Sequence, residues 1–91
     1  MEITWDPEKA AANLRKHGVE FVDAMGVFED PYALTREDPD AQGEQRFVSV
    51  GMDFLGRVLT VVYTHWHVSI RLISARRVTR CERDSYERYR S

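Results

Sequence analysis

The sequence predicts an α+β domain: an antiparallel β-sheet of about four strands, two helices before it and one C-terminal helix after it. Three observations carry this. A well-capped helical signal occupies residues 6–18. Apolar residues then recur with period two between residues 32 and 77. The helical period returns over the last dozen residues. A chain of 91 residues is expected to be a single domain, 1–91, with one modest core.

"EITWD" at the start reads as a short strand, Ile3 and Trp5 alternating with polar neighbours. In "DPEKAAANLRKHG", Asp6 suits the N-cap and Pro7 the first helical position. Gly18 is placed to end the helix in a left-handed conformation. Ala10, Leu14 and His17 share one face by spacing. "VEFVDAMGVFEDP" is a second helix with Phe21, Met25 and Phe28 as its apolar stripe, stopped by Pro31. Its Gly26 costs about 1 kcal/mol against alanine, which suggests close packing there.

"YALTRE", "QRFVSVGM", "RVLTVVYTH" and "HVSIRLISAR" are strands, and "DFLG" is a turn. "DPDAQGE" is a polar loop in which Asp38 and Asp40 serve as turn residues. The link near "THWHV" lacks the glycine or asparagine of a tight hairpin, so its register stays open. In "VTRCERDSYERY", Thr79 with Glu82 three residues on has capping-box spacing. Consecutive strands with short links form a meander, with helices expected on one face.

Composition excludes several classes. The first ten residues are acidic where a secretory signal is basic, and no apolar run is long enough to span a membrane. The single cysteine, Cys81, allows no internal disulfide and suits a reducing, cytoplasmic setting. Charge is unevenly distributed. Residues 1–53 hold five Lys/Arg against twelve Asp/Glu, a balance of −7. Residues 54–91 hold eight Arg against three acids, +5, which returns the −2 of the whole chain. Arginine matches phosphate with a rigid fork of donors, although an arginine-rich C-terminal helix can equally be a solvated face.

Arg46, Arg57, Arg71, Arg76 and Arg77 fall on or beside the expected strands. An arginine inside "SIRLIS" needs a carboxylate partner, such as Glu44, or an open groove. Together these arginines suggest an anion site, with phosphate the leading candidate. Lys16 and His17 can be read two ways. Both complement the dipole at a helix C-terminus, and both could serve a site, Lys16 holding phosphate and His17 moving a proton. His65 and His67 have no matching Cys or carboxylate pattern, so no metal or other cofactor is expected. There is no glycine-rich phosphate loop.

The stretches "WDPEKAAANLRKHGVEF", "AMGVFEDP", "EDPDAQGEQRFVSVG", "GRVLTVVYT" and "IRLISARRVTRCERDSYE" resemble, in order and spacing, the BrnT toxins. The likeness runs from Trp5 to about Tyr89. It implies a RelE-like fold and a bacterial ribonuclease toxin that blocks translation. It further implies neutralisation by a BrnA-like antitoxin with a ribbon-helix-helix DNA-binding region, and contact with operator DNA only through that antitoxin. Lys16, His17, Glu44, Arg46, Arg57 and Arg76 fall on positions of the family pattern, and Arg71 is placed with them. Glu20 stands where relatives often carry a Ser or Thr N-cap, and the "THWHV" hairpin is shorter and more aromatic than usual.

Metal-free cleavage would direct the RNA's own 2′-hydroxyl at the adjacent phosphate. It requires a base, an acid and positive charge on the transition state. Arg46, Arg57 and Arg76 are candidates for that charge, with Arg57 or Arg76 expected to matter most. His17 or Glu44 is the candidate base, and Lys16, Arg71 and Arg77 are candidates to bind the RNA backbone. The rival expectation is a catalytically weak module that binds the antitoxin and acts as co-repressor.

Overall fold

The computed structural model describes residues 2–39 and 43–90, so the turn role expected for Asp40 lies outside the described residues. Elements run β1 (Glu2–Thr4), α1 (Pro7–His17), α2 (Phe21–Ala24) continued by a 3₁₀ turn (Met25–Glu29), β2 (Leu34–Glu37), β3 (Phe47–Met52), β4 (Val58–Trp66), β5 (Ser69–Arg77) and α3 (Arg80–Arg90). Spatial order in the sheet is β1-β5-β4-β3-β2. β2 to β5 form the antiparallel meander. The sheet nevertheless has five strands rather than about four. β1 joins it parallel to β5, with Ile3 beside Ile70.

α1 forms as its caps dictate. The Asp6 carboxylate accepts from Glu8 N–H at 2.9 Å, and Gly18, at φ +69°, donates its N–H to the Leu14 carbonyl at 2.9 Å. The second helix is shorter than expected. After one α turn it tightens into a 3₁₀ segment, because Gly26 lies against the β3–β4 turn. A Cβ built on Gly26 would stand 2.4 Å from Phe54 N, and Phe54 N–H donates to the Asp23 carbonyl at 3.2 Å.

Helices cover both faces of the sheet, which corrects the one-face expectation. Alternation along β4 makes this visible, since both its faces are buried from Val58 to Val61. On one face Leu59, Val61 and Tyr63 pack with Ile70, Leu72 and Ala75 beneath Val19, Phe21, Ala24 and Val27. On the other, Leu34, Val48 and Val50 lie with α3 residues Glu82 and Ser85 around a groove of about 260 Å³. Tyr86, 1% exposed, anchors α3. Its hydroxyl donates to Asp30 Oδ2 at 2.5 Å, and the same oxygen accepts from Met52 N–H at 2.8 Å.

β5 carries one irregularity. Val62 pairs with Ser74 but Tyr63 pairs with Leu72, which leaves Ile73 as an extra residue in the ladder. Beyond β1 the outer edge of β5 would be open. The Asn13 amide closes it, donating to the Ala75 carbonyl at 2.8 Å and accepting from Ala75 N–H at 3.0 Å. It also donates to the Val19 carbonyl at 2.9 Å. The residue that α1 buries is therefore Asn13, while Leu14 on its expected apolar face is 42% exposed.

Candidate active site

The bulge decides which arginines meet. Arg71 and Arg76 are five residues apart, so in a regular strand their side chains would point to opposite faces. With Ile73 inserted, Arg71 stands beside Thr64 and Arg76 beside Thr60, both on the α3 face. Arg36 shares that face beside Val48. Arg46 precedes β3 by one residue, and its carbonyl accepts from Asp38 N–H at 2.8 Å, so the strand pairing continues through it. Alternation from Phe47, whose ring stacks on Tyr63 in the core, puts Arg46 on the α3 face as well. Arg46 and Arg71 thus flank Thr64 from either side, about 10 Å apart at their Cα atoms by strand spacing.

Three of these arginines differ in their ion pairing. Arg76 donates from Nη1 and Nη2 to the two carboxylate oxygens of Glu82 at 2.9 and 3.0 Å. Glu82 also accepts from Thr79 N–H at 2.8 Å and donates its own N–H to Thr79 Oγ1 at 3.2 Å, so the expected capping box forms. The Arg76 fork holds the Glu82 carboxyl down at about 2, against the opposing effect of burial, and the Glu82 carboxylate in turn raises the Arg76 guanidinium. Among the described residues the one carboxylate within ion-pair distance of Arg46 is Glu44, Nε to Oε1 at 3.8 Å. Among the described residues Arg71 is within ion-pair distance of no carboxylate, and it is exposed. The half of this face beyond α3 is therefore open and cationic. Glu44 sits at its rim, in a bend.

The remaining residues lie elsewhere. Arg57 is at the opposite corner and serves the fold. Its Nε and Nη2 donate to Asp53 Oδ2 at 2.9 and 2.8 Å, and its Nη1 reaches the Gly18 carbonyl at 3.5 Å. The Asp53 side chain has no exposure, so the Arg57 fork joins the β3–β4 turn to the end of α1. Arg77 stands beside Leu59 on the core face, at the strand end. Lys16 and His17 close α1 and line a shallow depression of about 280 Å³ along the β5 edge with Ile73 and Ser74. Ser74, beside Val62, lies between Arg71 and Arg76 on β5. His65 packs edge-on against Phe47 and Tyr63. Among the described residues no three His, Cys, Asp or Glu side chains gather where a metal could be held. Arg36 escaped the sequence reading, because only the β2–β3 register gives it a place on this face.

A family model, described as the ribonuclease toxin BrnT of type II toxin–antitoxin systems, matches residues 5–82. The chain belongs to the BrnT family. The BrnT match takes in β2 to β5, α1, α2 and the Arg76–Glu82 pair. The crystal structure of the Brucella abortus ribonuclease toxin BrnT superimposes with a TM-score of 0.65 at 22% sequence identity, covering 88% of this chain and 99% of that one. At that identity the likeness concerns the fold. No curated protein matches the sequence. Toxins of type II systems are paired with a protein antitoxin, so BrnT membership implies such a partner for this chain. No helix among the described residues is long and apolar enough to cross a membrane.

Proposed function

We propose that this chain is itself an endoribonuclease, cleaving RNA without a metal by directing a 2′-hydroxyl at the adjacent phosphate. The observation that supports this most is the cationic band on the α3 face. Arg46 and Arg71 flank Thr64, and Arg76 lies two rows further along β5. Two converging arginines match the non-bridging oxygens of one phosphate. Arg46 and Arg71 bind the scissile phosphate, and Arg76 adds charge to the pentacoordinate transition state. Glu44 at the rim and His17 at the β5 edge are the proton carriers. Lys16 and Arg77 hold flanking phosphates, and Arg57 acts by positioning α1 through Asp53. In the cell this activity would inhibit translation. A BrnA-like antitoxin would neutralise it and, with the toxin, repress their operon.

One observation favours a second reading, a catalytically weak antitoxin-binding co-repressor: Arg57 and Arg76 already form ion pairs within the chain. The test is induction of the chain alone in bacteria, beside Arg76→Ala and Arg71→Ala and beside co-expression of the neighbouring gene. RNA cleavage by the purified protein in a chelator is followed in parallel. Growth arrest, cyclic-phosphate product ends and a loss of about 10²-fold or more in rate for folded variants support catalysis. A harmless chain that leaves RNA intact while still binding its partner establishes the co-repressor reading instead.

A further inference from the structure

The geometry points to Trp66 as a stacking platform for one unpaired RNA base, next to the phosphate held by Arg71. The inference rests on the RNA-cleaving reading and deepens it, since it makes the substrate single-stranded and gives it a direction across the sheet.

Trp66 ends β4 opposite Ser69. It is two residues beyond Thr64, so it lies on the α3 face, in the row next to Arg71 and Arg46. Trp66 and Arg71 are diagonal cross-strand neighbours, about 7–8 Å apart at Cα, a separation that one nucleotide bridges. The indole is 60% exposed at the hairpin tip, beyond the end of α3's cover, and takes no part in the core. Large apolar area held open beside Arg71, which has no carboxylate partner among the described residues, is the combination that binds single strands: charge follows the backbone and an aromatic face takes a base.

The platform is held in place. His67 and Val68 alone make the β4–β5 turn, with His67 at φ +57°. Ser69 Oγ donates to the Trp66 carbonyl at 2.7 Å. The His67 ring stands against the indole at 5.4 Å, 80° from parallel. A side chain fixed before binding has less freedom to lose when a base stacks on it. The bound strand would then run from Trp66 over Arg71 and Arg46 towards Arg76, with an unpaired base at its hairpin end.

Only two tryptophans are present, and Trp5 packs edge-on against Phe21. A Trp5→Phe background therefore isolates Trp66 fluorescence. The probe is a short single-stranded oligonucleotide with 2′-O-methyl sugars, which has no free 2′-hydroxyl to attack with. Binding is read by anisotropy of a dye on the probe and stacking by quenching of Trp66. On cleavable RNA, Trp66→Ala should raise KM by about 5- to 100-fold, with kcat within about threefold and an unchanged melting temperature, and Trp66→Phe should restore most of it. Probe binding without quenching, or an unchanged KM for Trp66→Ala, overturns the platform while leaving cleavage intact. Quenching by a protein that cuts no RNA upholds the platform and removes the catalytic reading. A chain that neither binds nor cuts RNA removes both.

Discussion

Asn13 is the residue whose loss should cost the fold most for its size. Its amide is 6% exposed and takes part in three hydrogen bonds, two with the Ala75 backbone and one with the Val19 carbonyl. Asn13→Leu leaves one buried N–H and two carbonyls without these partners. An unsatisfied buried N–H costs about 1–3 kcal/mol, and carbonyls with a second lone pair less, so the sum is about 4 kcal/mol. At about 4–8 °C per kcal/mol for a domain of this size, the thermal midpoint falls by roughly 15–30 °C. Asn13→Asp is the sharper probe. It keeps the acceptor for Ala75 N–H but sets a second carboxylate oxygen against two carbonyls, which disfavours ionisation. A carboxyl whose folded pKa is raised contributes stability below its unfolded value, near 4, and loses it as pH rises through the folded pKa. Asn13→Asp should therefore gain on the wild type as pH is lowered from 7 to 4. Thermal melts at both pH values, with hydrogen exchange at the Ala75 amide, measure this. An Asn13→Asp protein within about 1 kcal/mol of wild type at pH 7 would show that the β5 edge needs no side-chain cap.

Three further outcomes are expected. Glu82, held at about 2 chiefly by the Arg76 fork, has a depressed folded pKa. Its contribution is full above the unfolded value near 4.3 and is lost as pH falls towards 2. Allowing for the partial exposure of both partners, this is about 1–2 kcal/mol, seen as a drop in urea midpoint between pH 5 and 2 that Glu82→Gln flattens. Gly26→Ala should destabilise by about 2 kcal/mol despite alanine's better helix propensity, because the new Cβ meets the Phe54 and Asp53 backbone; urea unfolding checks it. Arg57→Ala leaves the Asp53 carboxylate buried and unpaired, a loss of about 3–5 kcal/mol. Any loss of RNA cleavage should then track loss of fold by circular dichroism, in contrast to Arg71→Ala.

Much of the architecture was legible because local chemistry agreed with the final structure. The Asp6-Pro7 start and Gly18 stop of α1, the period-two strands and the Thr79–Glu82 box each have a cause within a few residues. What escaped depends on distant partners. β1 pairs with a strand some 67 residues away. The shortening of α2 comes from the Phe54 turn. Asn13 read as an ordinary helix residue because its partners lie at Val19 and Ala75. The "THWHV" turn proved a two-residue hairpin without glycine, His67 taking the positive φ that histidine tolerates better than most residues.

For the candidate site the decisive feature is Ile73, which no composition or period signals. Strict alternation over "SIRLISARR" sends Arg71 and Arg76 to opposite faces. The bulge resets the phase between them, so Leu72 and Ala75 both reach the core while Arg71 and Arg76 both face α3. One inserted residue thus reconciles an apolar requirement on one face with a cationic one on the other. It also explains why the arginines are not equivalent. Arg76, under α3, is met by Glu82, whereas Arg71, towards the hairpin, stands open beside Thr64. A phosphate entering from the hairpin side meets Arg71 and Arg46 first and reaches Arg76 only in competition with a carboxylate. On the proposed cleavage reading Arg71 would govern binding, and Arg76 would contribute to the extent that the transition state's extra charge outcompetes Glu82.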